Sequence, residues 1–365
     1  MKLFSIDSVE IAMVKEQKLL RFVFLLFVIF SVSGCSTVGY YLDLMAGQSD
    51  LIEQRKPIKE ILANKDTSPK LHDLLAESVK MRDFASNVLF LPENDSYRLY
   101  ADLKRPYAVW NVVAAKEFSM KPKEWCFLFV GCLSYRGYFS EKDATDYANE
   151  LKKEGYDVYV GGARAYSTLG WFDDPLLNTM MYKLEAYRAG IIFHELAHQE
   201  LYVDDDSAFN EAFATTVEEE GIQRWFSSNG KQKEYKKYLA EKKRDDQIND
   251  LLRKTREKLK QLYSEKISHI EMRKLKRTIL KNMLVKYEIL KQTWHGYSGY
   301  DKWMNQGINN AKLVLVATYH DLVPGFKHVL SRHGNDLRKF YQAIEKISKL
   351  NKNERDKKLG LLVTD

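Results

Sequence analysis

Two histidines four residues apart, His194 and His198, stand in the segment FHELAHQE, with Glu195 directly after the first. On a helix, residues at this spacing share one face about 6 Å apart, so both imidazoles could reach one zinc ion. Glu195 is rotated by roughly 100° towards the open side of such an ion, where it could accept a proton from water. Apolar neighbours favour a helix buried beneath a cleft. The spacing therefore predicts a metal-dependent hydrolytic site.

A catalytic zinc ion needs a third protein ligand, and the segment VDDDSAFNEAFATTVEEEG offers several carboxylates. We favour Glu211, which follows His198 by 13 residues on a second predicted helix. Its Asn-Glu pair resembles the second-helix signature of thermolysin-like zinc peptidases, the gluzincins. Asp204 has the spacing that metzincins use, but Leu201 stands where that class needs glycine. Glu218, seven residues after Glu211, is a further rival ligand.

The groups that would orient the ligands or stabilise the transition state are less sharply marked. Gluzincins place an orienting acid four residues after the third ligand, but that position is Thr215 here. An aspartate from the run at 204–206 could replace it. A developing oxyanion needs a donor besides the metal, and Tyr319 is the favoured candidate. The alternatives are His320, His295 and Tyr297.

The segment DVYVGGARAYSTLGWFDDPLL, residues 157–177, is the candidate edge strand for holding a substrate backbone. Its paired glycines, Gly161 and Gly162, would let another backbone approach closely, although an ordinary strand and turn would have the same composition. Glu218 and the two glutamates after it could bind the ammonium group of a peptide, or could form a solvated helix end.

The N-terminus carries a secretion pattern. Basic residues precede an apolar core at 22–32, which is too short to span a bilayer of roughly 30 Å as a helix. Ser33-Gly34-Cys35 then resembles the bacterial lipobox, which implies lipidation of Cys35 and a membrane anchor. Ser36 favours the outer membrane by the same resemblance, and a buried N-terminal helix is the alternative. Met1 and Met13 both remain candidate start residues.

Cysteine usage and charge agree with an envelope location. Cys126 and Cys132 lie in WCFLFVGCLSY, where an oxidising compartment would let them form a disulfide, although two buried thiols fit equally well. The formal net charge is +7, with much of the excess at residues 231–290, where acidic residues are interleaved. This pattern favours a solvated helical surface over a nucleic-acid groove, so no nucleic-acid partner is expected.

The predicted fold class is α+β, with strands in the first half and helices in the second. Predicted strands cover about 106–115 and 125–131, and a capped helix covers 140–155. The motif helix is predicted at about 176–202, and the second helix at about 207–226. Long amphipathic helices are expected from 231 to 291, and a final helical stretch from about 307 to 349.

Four parts follow from this organisation. We expect a lipoprotein signal peptide at 1–34 and a tether with an entry helix at 35–60. A zincin-like catalytic part should occupy 61–230. Residues 231–365 should form a mostly helical part that could serve as a lid and cleft wall.

The whole pattern resembles the predicted aminopeptidases of bacterial envelopes, a family of zinc peptidases. The resemblance rests on segments spread over the mature chain: VGYYLDLMAGQ, RDFAS, WCFLFVGCLSYRGYFS, YDVYVGGARAYSTLGWFDDPLLNTM, IIFHELAHQ, FNEAFAT, VEEEG and NNAKLVLVATYHDLVP. It implies one Zn²⁺ on His194, His198 and Glu211, with Glu195 as the base. The chain lacks the GxMEN segment by which well-known zinc aminopeptidases grip an amino terminus.

The leading hypothesis is thus a zinc peptidase, lipid-anchored at Cys35 on the periplasmic face of the outer membrane, that cleaves peptides or proteins. An alternative from another class is an inactive zincin-fold lipoprotein that acts in binding or envelope assembly. Peptidoglycan stem peptides are a third kind of target. The intact HExxH segment argues against an inactive scaffold, because such a scaffold has no need of Glu195.

Overall fold

The strands gather in the first half of the chain and the long helices in the second, so the predicted mixture of α and β structure is confirmed. The computed structural model describes residues 35–127, 131–182 and 184–361. The predicted signal peptide, 1–34, lies outside these described residues. The chain divides after Glu53 into two units, the first of which contains helix α1, Cys35–Glu53. Among the described residues, no helix has both the length and the apolar character needed to cross a membrane.

The second unit begins at Gln54 and contains short strands and many helices. The strands described are β1 (Lys56–Pro57), β2 (Leu99–Ala101), β3 (Val109–Lys116), β4 (Trp125–Phe127), β5 (Gly131–Leu133), β6 (Arg136–Tyr138), β7 (Tyr156–Ala163) and β8 (Leu176–Leu177). One sheet has the order β1-β2-β8, with β2 and β8 parallel. A second has the order β6-β3-β7 and is antiparallel, while β4 and β5 form a hairpin.

The helices of the second unit contribute most of the buried hydrophobic residues. The helices described are α2 (Ile58–Ala63), α3 (Pro69–Asn87), α4 (Glu141–Lys153), α5 (Glu185–Glu200), α6 (Ser207–Ser228), α7 (Gln232–Leu262), α8 (His269–Gln292), α9 (Asp301–Asn305), α10 (Asn310–His320), α11 (Val323–Arg332), α12 (Leu337–Ser348) and α13 (Lys352–Leu361). A short 3₁₀ turn, Asn178–Met180, precedes α5.

The central strand β3 explains the layout of the antiparallel sheet. Val109 to Ala115 form an almost continuous buried run, which suits a strand that is covered on both faces. Helices α4 and α10 both pack against β3 and its neighbour β7. Asn310, at the start of α10, donates its side-chain amide to three backbone carbonyls, one on the last residue of β3 and two just after it. These bonds fix the end of α10 against the sheet.

The capped helix predicted at 140–155 is confirmed as α4. The Ser140 hydroxyl accepts a hydrogen bond from the backbone N–H of Asp143 at 3.3 Å. Gly155 ends the segment with a φ of +85°, a conformation that favours glycine. The helices predicted at 207–226 and across 231–291 are likewise present as α6, α7 and α8.

The motif helix begins later than predicted, at Glu185 instead of near residue 176. Leu176 and Leu177 form strand β8, because they pair with β2. The Asn178 side chain then binds two backbone groups of the 103–105 segment, accepting from Leu103 N–H at 2.9 Å. These partners come from distant sequence, so an apolar run alone could not separate a short strand from a helix turn.

The last predicted helical stretch is divided into α10, α11 and α12. Pro324 lies in the first turn of α11, and Gly334 has a positive φ just before Asp336 caps α12. The final helix α13 packs closely on α11, because an added Cβ at Gly325 would lie 2.3 Å from the Leu359 carbonyl oxygen. Glycine is therefore required at that crossing.

Candidate metal centre

Helix α5 carries the HExxH residues on a firmly buried support. Ile192, Phe193, Leu196 and Ala197 are each at most 1% exposed. They bury one face of the helix, chiefly against α6. Gly221 of α6 allows this contact, since a Cβ there would lie 2.6 Å from the Phe193 ring. The polar face with the motif residues is thus held in one orientation.

The three predicted ligands come together in space. Glu211 Oε2 lies 3.2 Å from His194 Nε2 and 3.7 Å from His198 Nε2. One potential ligand atom from each residue lies within 4.8 Å of the others. Within the described residues, this is the one group of three or more such side chains found to be suitable for a metal ion. Two imidazoles and one carboxylate form a donor set that zinc favours in catalytic sites.

A tight reversal between the two helices brings Glu211 to this place. The Asn210 side chain accepts from Val203 N–H at 2.8 Å and donates to the Val203 carbonyl at 2.8 Å. Asp206 then caps α6 by accepting from the Phe209 N–H. Asp204, the alternative ligand, is exposed and lies outside the ligand group. In this Asn-Glu pair, Asn210 therefore closes the chain reversal and Glu211 is the candidate ligand.

Glu218 lies where a carboxylate that orients the first histidine would be expected. Its Oε2 lies 3.0 Å from His194 Nδ1, on the side of the ring away from Glu211. Gly190 leaves the required space, because an added Cβ would lie 2.8 Å from Glu218 Oε1. The aspartates considered for this role have other partners: Asp205 accepts from Cys132 N–H, and Asp206 binds Lys352 and Arg355.

The adjacent glutamates also have partners within the protein. Glu219 forms ion pairs with Lys242, at 2.7 Å, and with Lys327. Glu220 accepts from Arg224 at 2.7 Å. Together with the contact between Glu218 and His194, these pairings account for all three carboxylates that the sequence offered for binding a substrate ammonium group.

The protonation of the site follows from its buried charges. Burial opposes ionisation of Glu211, but the hydrogen bond from His194 and the charge of His198 lower its pKa to about 2. Burial alone would lower the pKa of His194, yet Glu211 and Glu218 raise it well above 6.5. Burial raises the pKa of Glu195. Glu211 is therefore a carboxylate anion in this group, and Glu195 is a stronger base than an ordinary glutamate.

Tyr97 is a neighbour of Glu195 that sequence reasoning missed. Its side chain is 1% exposed, and within the described part of the chain its hydroxyl makes no hydrogen bond of good geometry, although Ser167 lies beside it. Burial and the charge of Glu195 raise the pKa of this tyrosine. Its φ of +64° is unusual for an aromatic residue. Among 22 tyrosines, no sequence signal marks this one.

The segments around Tyr97 are tied to the end of α5. Gln199, next to His198, accepts from Asn94 at 2.8 Å and donates to Ser96 at 3.2 Å. The fully buried Arg82 holds the same segment through the Ser96 carbonyl and other backbone oxygens. Tyr97 N–H donates to the carbonyl of Asp174 in the 164–175 loop. Both loops therefore lie beside the end of α5 that carries His198.

The candidate substrate strand is present, but its glycines have an internal explanation. A Cβ at Gly162 would lie 2.2 Å from the Tyr107 ring, and one at Gly161 would lie 2.7 Å from the Tyr159 ring. Both residues belong to β7, which pairs with β3 throughout its length. The two glycines make room for aromatic rings of the same chain, so the substrate is not needed to explain them.

The two cysteines of β4 and β5 are joined by a disulfide bond between Cys126 and Cys132. The hairpin contacts the reversal between α5 and α6, where Cys132 N–H donates to Asp205. Tyr135 follows, and burial together with the charge of Glu211 raises its pKa. The side chains of Tyr319 and Cys35 lie outside the described part of the structure, although both residues belong to helices.

With this geometry established, comparison with known proteins gives a family. A family model described as "Putative aminopeptidase" matches residues 39–359, which is most of the chain. The chain belongs to this family. Searches of curated proteins and of solved structures found no match.

Proposed function

We propose that the protein is a zinc-dependent aminopeptidase with the site His194, Glu195, His198 and Glu211. The observation that carries the proposal is the position of Glu211 Oε2, within 3.7 Å of both imidazole Nε2 atoms. Family membership supports peptidase activity. His198 and Glu211 are buried and His194 is half-buried, and within the described part of the chain none of the three forms an ion pair with a lysine or arginine, which favours a cation as their common partner.

His194, His198 and Glu211 would hold the zinc ion, with His194 bonding through Nε2 because its Nδ1 faces Glu218. Zinc in such a site supplies a Lewis acid that lowers the pKa of water and polarises a carbonyl group. Glu195 accepts a proton on its carboxylate and later donates it to the leaving amine. Its raised pKa suits both transfers.

The decisive experiment replaces Glu195 by Gln and measures zinc content and turnover of aminoacyl and longer peptide substrates. Zinc should remain near one ion per chain, while turnover falls by about 100-fold or more. The control is Glu200→Gln, an exposed residue on the same helix, which should leave turnover unchanged. Full activity in Glu195→Gln, or a wild-type chain without zinc, would refute the proposal.

We further propose that the protein is anchored in the bacterial envelope through Cys35. Support comes from the apolar core at 22–32 followed by Ser33-Gly34-Cys35. The Cys126–Cys132 disulfide is compatible with an oxidising compartment. Incorporation of labelled fatty acid into the wild type and its loss in Cys35→Ala would support anchoring, whereas equal labelling of both would contradict it.

A further inference from the structure

Helix α8 exposes apolar side chains along its outer face. Ile270 is 79% exposed, Val285 52% and Ile289 58%. At 3.6 residues per turn, these positions fall within one sector of the helix, opposite the buried Met283 and Tyr287. Exposure of three branched aliphatic residues on one face is unfavourable in water, which suggests that something else covers them.

Unpaired cations share the same sector. Three basic residues of α8 bind carboxylates on other parts of the protein: Arg273 binds Glu117, Lys276 binds Asp157 and Lys291 binds Asp301. In contrast, Lys274, Arg277 and Lys281 are exposed, and no ion pair is found for them among the described residues. By the helical period, they lie between Ile270 and Val285 on the outer face. We refer to these three cations and three aliphatic residues as the outer face of α8.

A cavity adjoins one end of this face. It has a volume of about 380 Å³ and lies between α7 and α8. Ile289 lines it, together with Lys258, Lys286 and Lys254, the last of which pairs with Asp250 of the same lining. Lysines around an apolar cleft match a ligand that carries a negative headgroup and a hydrocarbon portion. Two glutamates in this sector, Glu271 and Glu288, limit its positive charge, and Glu288 pairs with Lys291.

We propose that the outer face of α8 rests on an anionic phospholipid membrane. Cations attract the headgroups, and the aliphatic side chains enter the interface between headgroups and acyl chains. A nucleic acid would satisfy the lysines but would leave Ile270, Val285 and Ile289 in water. The proposal does not depend on the peptidase activity or on an anchor at Cys35.

The test places a fluorescent reporter on the outer face of α8. Binding of another part of the chain to the membrane would not change the signal of that reporter. In full-length Cys35→Ala protein, an environment-sensitive fluorophore is attached to Val285→Cys or, as a control, to Lys153→Cys on the exposed end of α4. The protein is mixed with phosphatidylcholine vesicles or with vesicles that also contain phosphatidylglycerol. We expect a blue shift and quenching by brominated lipid only at position 285, only with phosphatidylglycerol, and weakened by salt.

Charge reversal provides the matched comparison. Lys274→Glu, Arg277→Glu and Lys281→Glu together should weaken the response at position 285 by about tenfold or more. Lys346→Glu, Lys357→Glu and Lys358→Glu make the same charge change on exposed parts of α12 and α13 and should leave it intact. Circular dichroism checks that both variants are folded. An unshifted reporter on anionic vesicles, equal loss in both triple variants, or a response to duplex DNA instead of vesicles would overturn the proposal.

Discussion

Glu218 and His194 form the contact that fixes how the first histidine can bind a metal: Glu218 Oε2 lies 3.0 Å from His194 Nδ1. This contact leaves Nε2 facing Glu211. Carboxylates that hold the second nitrogen of a metal-binding histidine orient the ring and raise its basicity. In the proposed zinc site, Glu218 would therefore be the orienting carboxylate, since Thr215, at the gluzincin position, has no carboxylate.

Replacing Glu218 by Gln should weaken zinc binding by about 10- to 100-fold, because the ring loses its anionic partner. Zinc affinity is measured by competition with a chelating dye, and turnover is measured at saturating zinc. The control is Glu220→Gln. Glu220 lies two residues after Glu218 on the same helix, and its replacement breaks an ion pair with Arg224. Equal zinc affinity in the wild type and Glu218→Gln would show that this carboxylate has no orienting role.

Zinc binding should depend on pH. Glu211 and Glu218 raise the pKa of His194 above its ordinary value of 6.5, so its Nε2 carries a proton near neutrality. Zinc must displace that proton, so its affinity should increase as the pH rises towards the raised pKa. The stability that His194 protonation gives the zinc-free protein is complete below pH 6.5 and is lost progressively as the pH rises from there through the raised pKa.

Thermal unfolding with and without zinc measures this competition. The increase in Tm caused by zinc should be larger at about pH 8 than at about pH 6, since zinc binds more tightly at the higher pH. Calorimetry in two buffers of different ionisation enthalpy should show proton release on binding. A zinc-induced shift in Tm that is independent of pH, with no proton release, would contradict the assignment of the His194 proton.

The convergence of the three candidate ligands could be predicted from sequence because their spacing is local. His194, Glu195 and His198 need only one helix, and Glu211 needs only a short reversal of the chain. The α+β class and helix α4 could be predicted for the same reason, because helix caps and strand composition are properties of a few neighbouring residues.

The surroundings of the site could not be read in this way. Glu218 contacts His194 because Gly190 and Gly221 let α5 and α6 approach closely, and a helix pattern does not encode that distance. Tyr97 lies in the electrostatic field of Glu195 because its segment is held by Arg82 and Gln199, which lie 117 residues apart. Strand β8 formed where a helix was predicted because its partner is β2. Long-range contacts decide each of these features.

The C-terminal helix α13 is joined to the ligand-bearing helix α6 by a buried ion pair. Arg355 donates to Asp206 Oδ2 at 2.8 and 3.0 Å, and the Asp206 side chain is fully buried. Arg355→Met should lower the free energy of unfolding by about 3 kcal/mol, because the buried carboxylate of Asp206 loses one of its two cations and keeps only Lys352. Denaturant unfolding measures the change. The exposed Lys357→Met is the control, and equal stability of the two variants would refute the assignment.

Two buried tyrosines, Tyr97 and Tyr341, allow a matched test of whether the Tyr97 hydroxyl contributes to stability. The Tyr341 hydroxyl donates to the Leu89 carbonyl at 2.8 Å, whereas the Tyr97 hydroxyl makes no hydrogen bond of good geometry. Tyr341→Phe should therefore cost about 1 to 3 kcal/mol, since it leaves a buried carbonyl unsatisfied. Tyr97→Phe should be neutral or stabilising, because it removes a buried polar group that lacks a good partner. Denaturant unfolding of both variants decides the point: an equal loss of stability would mean that Tyr97 has a hydrogen-bond partner that contributes to folding.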